Sequence, residues 1–257
     1  TRALDFKGSQ YIKVPWKNDS NGEVPQTIEF RYRTPYKANQ VLFKKAAGFA
    51  IQLINSGSTE YGNVRFAVSS STGVSHLDTP KLKLFNDDFW SVMLTRVSSS
   101  GIPLVDNNAS RSVDYTLTAK QYDSTRQKIL YQGSSTLTVH GKSSLSASYN
   151  QKVVNNSPNS TFIGGNGSSF GAQRFSGSMM EFRFWSEPLS SSIFDNHVRT
   201  PKAYNGNKSG SSYDNLLLRL PLDDNKNFQT NPTASNLAYI KTYQGDVSGS
   251  NINGFTG

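Results

Sequence analysis

The 257-residue chain contains no cysteine, so neither disulfides nor thiolate metal sites are open to it. Long apolar runs are also missing. None approaches the roughly 18 consecutive residues that a membrane-spanning helix requires, and membrane insertion is not expected. Histidine is scarce: His76, His140 and His197 are the three present, and they are too far apart for the His-x-x-x-His spacing of a zinc site. Helical periodicity is nearly absent, and strands do not alternate with helices as they would in a parallel α/β sheet. Gly167-Ser168-Ser169-Phe170-Gly171 matches the Gly-x-Ser-x-Gly pattern of a hydrolase nucleophile. It lacks the strand-turn-helix setting that gives the pattern meaning, and it reads as a flexible loop.

The chain does carry charge and strand-forming residues. Its net charge is +9 with an isoelectric point near 9.6, which raises the question of a nucleic-acid partner. Its basic residues, among them Lys7, Lys13, Arg31, Arg33, Lys44, Lys45, Lys81, Lys83, Arg126 and Lys128, are scattered without a dense block. They read as solvated strand faces, and no nucleic-acid partner is expected. Hydrophobic residues make up 35% and aromatics 12%, enough material for a core rich in Val, Ile, Tyr and Phe.

Apolar and polar residues alternate with period two from end to end, broken by Gly, Asn, Asp and Pro. Ala3 to Phe6, Tyr11 to Val14, Thr27 to Arg33, Gln40 to Lys44, Phe49 to Ile54 and Asn63 to Ser69 read as strands. So do Phe89 to Val97, Tyr115 to Gln121, Lys128 to Tyr131, Ser135 to His140 and the segment from Thr161. In Thr27 to Arg33, Ile28, Phe30 and Tyr32 face inward, while Glu29, Arg31 and Arg33 face outward. Further on, Phe175-Ser-Gly-Ser-Met-Met-Glu-Phe-Arg-Phe-Trp185 puts Met180, Phe182 and Phe184 on one side and Glu181, Arg183 and Trp185 on the other. Pro188 stops that strand, and a Ser-rich start leads into one short helix, with His197 packing behind Ile193. Leu216, Leu218, Leu220 and Leu222 form one more apolar face, either an edge strand of the same sandwich or the opening of a following unit. The pattern predicts an antiparallel two-sheet sandwich over residues 1–205. Residues 206–257 then comprise a linker, a returning or exchanged strand at 216–222 and a polar tail.

Four segments in order carry a family likeness: Ala3-Leu-Asp-Phe-Lys-Gly-Ser-Gln-Tyr-Ile-Lys-Val; Gln26-Thr-Ile-Glu-Phe-Arg-Tyr-Arg-Thr; Asn86-Asp-Asp-Phe-Trp-Ser-Val-Met-Leu-Thr-Arg; and Phe162-Ile-Gly-Gly followed by the Phe175 to Trp185 strand. Over about residues 1 to 200 the chain resembles the laminin G-like modules of the concanavalin A-like lectin/glucanase superfamily. With the segment from Tyr213 to Asp224 it also resembles modules of tailed-bacteriophage virion structural proteins. The likeness implies an all-β jelly roll with a carbohydrate- or protein-recognition role at a virion or extracellular surface. Its partners would be other subunits of such an assembly and, for a lectin-like domain, a glycan.

Hydrolases of that superfamily use Glu-x-Asp-x-(x)-Glu along one strand to aim two carboxylates into a cleft. No such run occurs. Glu29 and Glu181 each stand beside an arginine on an outward face and read as surface ion pairs, so no catalytic residue is assigned and an enzyme is not expected. Aromatic faces stack on sugars, which makes Trp185, Trp16, Tyr36 and Tyr61 the candidate glycan contacts. The likeness allows calcium at the rim, with Asp87, Asp88, Asp223 and Asp224 as available hard oxygen ligands beside Asn225. The Asp-x-Asp-x-Asp-Gly spacing is absent, and no cofactor is assigned.

Overall fold

A computed structural model describes residues 3–14, 16, 24–45, 48–70, 73–98, 112–139, 149, 161–165, 170–207 and 215–222. Two seven-stranded sheets face each other across an aromatic core. The first sheet runs β1 (Leu4–Lys7), β13 (Ser176–Trp185), β3 (Thr27–Arg33), β8 (Trp90–Ser98), β9 (Val113–Asp123) and β10 (Lys128–Val139), and β14 (Leu216–Leu220) also pairs with β13. The second runs β2 (Ile12–Val14), β11 (Thr161–Ile163), β4 (Gln40–Lys45), β5 (Phe49–Asn55), β6 (Gly62–Ser70) and β7 (Gly73–Asp78), with β12 (Gln173–Arg174) beside β4. Pairing is antiparallel throughout except for the two-residue β12–β4 contact. The fold is the predicted all-β sandwich.

The period-two residues do what their spacing dictates. Ile28, Phe30 and Tyr32 of β3 are buried in the core, as are Phe49, Ile51 and Leu53 of β5 and Val64, Phe66 and Val68 of β6. Rings meet across the layers: Phe43 lies 5.2 Å from Phe182, Trp16 5.6 Å from both Phe49 and Phe184, and Phe66 5.4 Å from Tyr115. Such pairs each add about 0.5–1.5 kcal/mol beyond their area of burial. Lys45 is also interior, its ammonium 4.7 Å from the Trp16 ring centre and donating to the Tyr149 carbonyl.

Two register shifts correct the expected faces. β13 carries one extra residue between Met180 and Arg183 relative to β3, a bulge at which Glu181 adopts φ 52°. A bulge inverts parity along a strand. Met179, in place of Met180, therefore joins Phe182 and Phe184 in the core. A second shift, at Phe184/Trp185 against β14, separates Leu216 from Leu218, Leu220 and Leu222: the last three enter the main core, and Leu216 the smaller cluster on the other face of the sheet.

Other differences lie at weakly patterned segments. β10 is continuous across Gly133, where the sequence suggested two strands, because it pairs with β9 along its length, and the glycine leaves room for Leu82, which a Cβ there would approach within 3.0 Å. β7 (GVSHLD) was not expected from its composition and forms by pairing with β6. Gly62 makes reciprocal backbone bonds with Leu82, and a Cβ there would lie 2.2 Å from the Ile54 carbonyl oxygen and 2.8 Å from the Phe85 ring. Gly62→Ala is expected to cost about 1–3 kcal/mol in urea unfolding, since the crowding atom is backbone and cannot swing aside.

Candidate functional site

Ser190 caps helix α1 (Ser191–Arg199) by accepting a hydrogen bond from the Ile193 amide, and caps of this kind contribute about 1 kcal/mol. Phe194, His197 and Val198 share one helical face and are buried, consistent with i, i+3, i+4 spacing. That face lies on the outer side of the first sheet, against Met93, Trp185, Leu189 and Leu216. Glu29 of β3 and Glu181 and Arg183 of β13 are therefore covered, which corrects the expectation that Glu29 and Glu181 form surface pairs. Both are buried, with 3% and 2% of their surface exposed.

These acids form a closed ionic network. Arg183 donates from Nη1 to Glu29 Oε1 at 2.9 Å and from Nη2 to Glu181 Oε2 at 2.8 Å. Arg219 grips Glu181 with two bonds of 2.8 Å. Trp185 Nε1 donates to Glu29 Oε1 at 2.9 Å. His197 Nδ1 lies 3.0 Å from Glu29 Oε2, and its Nε2 lies 3.0 Å from the Asn205 carbonyl oxygen. Both ring nitrogens face acceptors, so both bonds form together only when the ring carries two protons. Burial alone would raise the Glu29 carboxyl, but the charges and hydrogen bonds of His197 and Arg183 outweigh it and bring it down to about 2. The network consumes its carboxylates internally.

The exposed aromatics lie elsewhere. Tyr36 (59% exposed), Tyr61 (48%) and Tyr131 (50%) are among the large apolar side chains open to solvent. Tyr36 sits between β3 and β4, Tyr61 immediately before β6, and Tyr131 on β10, where it stacks on buried Trp90 at 6.5 Å. A salt bridge of 2.9 Å joins Lys83 to Glu60. Glu60 raises the ammonium of Lys83 most, through its hydrogen bond and charge, and the phenols of Tyr61 and Tyr131 add to it. The neighbour of Tyr36, Lys37, in turn acts on Glu60. Tyr61 and Tyr131 thus flank one ion pair, and Lys37 acts on it from the segment that carries Tyr36. Backbone bonds hold it in place, from the Ser56 amide to the Tyr61 carbonyl and from the Phe85 amide to the Glu60 carbonyl, each 3.0 Å.

Of the four aromatic candidates, Tyr36 and Tyr61 present their rings to solvent, whereas Trp185 is fully buried under α1 and Trp16 lies in the core. Tyr131 was missed, because its place on a strand gave no sign that the neighbouring layer leaves it open. Asp87 and Asp88 occupy a tight turn in which Asp88 Oδ2 accepts from Gln121 Nε2 and Asn86 Nδ2, both at 3.1 Å. Asp223, Asp224 and Asn225 lie outside the described residues, as do His140 and positions 167–169 of the Gly-Ser loop. Among the described residues no three His, Asp or Glu side chains gather as a metal site. Asp87 and Asp88 do not by themselves assemble a calcium site, which needs six or more oxygens. No helix among the described residues is long and apolar enough to cross a membrane.

No protein-family model matches the chain, and no curated protein matches its sequence. Solved structures do. The chain is similar to a proposed carbohydrate-binding protein from Bacteroides ovatus ATCC 8483, at 15% identity and a TM-score of 0.53, covering 98% of this chain and 57% of that one. It also matches the LG1-3 region of the laminin alpha2 chain (11% identity, TM-score 0.46, 75% of this chain and 32% of that one). A third match is tailspike protein 2 of the Escherichia coli O157:H7 bacteriophage CAB120 (12% identity, TM-score 0.49, 87% and 30%). The chain thus spans little more than half of the Bacteroides protein and about a third of the other two. At these identities the likeness to the Bacteroides protein concerns the fold alone.

Proposed function

We propose that this chain is a non-catalytic recognition module of a larger extracellular or virion assembly, and that its tyrosine rim contacts a glycan. The observation that carries this reading is the grouping of Tyr61 and Tyr131 around the Glu60–Lys83 pair, with rings half open to solvent. Phenol faces offer apolar surface to sugar C–H groups, while Glu60, Lys83 and Lys37 offer acceptors and donors to hydroxyls. The committed state of Glu29 and Glu181 supports the non-catalytic part, since each carboxylate oxygen already accepts a hydrogen bond. The carbohydrate-binding description of the Bacteroides protein agrees with it. The virion or surface setting, and contacts with other subunits there, rest on the resemblance carried by the sequence.

A glycan array probed at low and high salt tests the proposal. Stacking contacts persist in salt, whereas charge-driven association fades. Tyr61→Ala combined with Tyr131→Ala is expected to weaken the best array hit about tenfold or more, equivalent to at least about 1.4 kcal/mol. Hydrolysis of a polysaccharide, dependent on one acidic residue, would overturn the reading. So would binding that disappears in salt and ignores both tyrosines.

A further inference from the structure

A small cleft separates the ionic network from α1, lined by Glu29, Arg31, Ser91, Glu181, Arg183 and His197 among others, with a volume of about 10 Å³. We propose that this cleft, between β3, β8, β13 and α1, binds one halide-sized anion held by Arg31 Nε, Arg183 Nε and Ser91 Oγ.

Those three donors are buried and have no protein acceptor among the described residues. Buried donors demand a partner. Every carboxylate oxygen lining the cleft already accepts from Arg183, Arg219, Trp185 or His197. A water could accept from the two arginine Nε–H groups and donate to the Ser91 hydroxyl, and it would still need an acceptor for its second hydrogen. A monatomic anion accepts all three and donates nothing. The volume is that of a single small occupant.

Charge favours the same occupant. Arg183 and Arg219 share the two carboxylates, and neither carboxylate accepts from Arg31. Arg31 instead lies over the Phe89 ring, 5.4 Å from its centre. Burial and the like charge of Arg183 draw the Arg31 guanidinium down to about 10, with Glu181 acting in the opposite sense. When both its ring nitrogens are protonated, His197 adds to the positive side. One anion beside Arg31 offsets that excess.

The test is thermal unfolding in sodium bromide or chloride against sodium gluconate at equal ionic strength, since gluconate is too large for the cleft. The halides should raise Tm saturably, by about 3 °C at tenfold above the dissociation constant. Ser91→Ala removes one donor and leaves every ion pair intact, so it should abolish or strongly weaken the saturable rise. Crystals soaked in bromide should show an anomalous peak between Arg31, Ser91 and Arg183. Equal Tm in halide and gluconate, a rise that persists in Ser91→Ala, or a peak absent from the cleft would each overturn the proposal.

Discussion

Replacing Arg183 with methionine should lower the unfolding free energy by about 3–5 kcal/mol, because it takes from two buried carboxylates the guanidinium they share, leaving Glu29 to His197 and Trp185 and Glu181 to Arg219. Arg183 is the residue both acids share: it bonds Glu29 and Glu181 with distances of 2.9 and 2.8 Å, and all three side chains are at most 4% exposed. Methionine matches much of the volume, so the loss reports the unpaired charge more than a cavity. Urea unfolding of wild type and variant at pH 7 measures it. The variant Arg183→Met with Glu29→Gln should recover part of the loss, since one undercompensated buried charge is then gone, and the two changes will not add. A loss below about 1 kcal/mol would mean that the network contributes no more than an exposed pair does.

The second large effect is acid sensitivity. Glu29 titrates at about 2 in the folded protein, against an ordinary value of 4.5. Between those values the unfolded chain binds the extra proton, so stability is fully present above about pH 4.5 and is lost as pH falls towards 2. The depression corresponds to about 3 kcal/mol. Urea midpoints between pH 6 and pH 2.5 should therefore fall steeply below pH 4.5 in the wild type. In Glu29→Gln the same interval should be markedly flatter, from a lower starting stability. Parallel profiles for the two proteins would contradict this assignment.

Both predictions concern residues whose setting the sequence did not disclose. The alternation of Thr27–Arg33 correctly put Ile28, Phe30 and Tyr32 inward and Glu29 and Arg31 on the other side. Alternation speaks only of which residues share a face, and it says nothing about what lies beyond that face. Helix α1 was legible from the Ser-rich start after Pro188, but its docking over β3 is a contact between residues more than 150 positions apart, as the His197–Glu29 bond shows. Alternation puts Trp185 on the correct face of its strand, and for the same reason it does not show the helix that buries this candidate glycan contact. The parity error at Met180 has a different origin. A bulge adds one residue without a dependable sequence mark, and here it falls on a glutamate at positive φ, where Gly or Asn would be the usual signal.

The surface site was legible in part. Tyr36 and Tyr61 stand in turn-rich segments, and such aromatics stay exposed when no layer covers them. Tyr131 could not be separated from core tyrosines such as Tyr115, since both sit on strands of similar composition. Three-dimensional proximity to Lys83 links Tyr131 to the rim, and strand pattern alone does not carry that information.

The most direct test of the account is to map, by NMR chemical-shift perturbation, where a glycan selected on the array touches the protein. The account predicts shifts concentrated at Tyr36, Tyr61, Lys83 and Tyr131, with the Glu29, Arg183 and His197 signals unmoved. Perturbations centred on Glu29, Glu181 and His197, with the tyrosines silent, would contradict it.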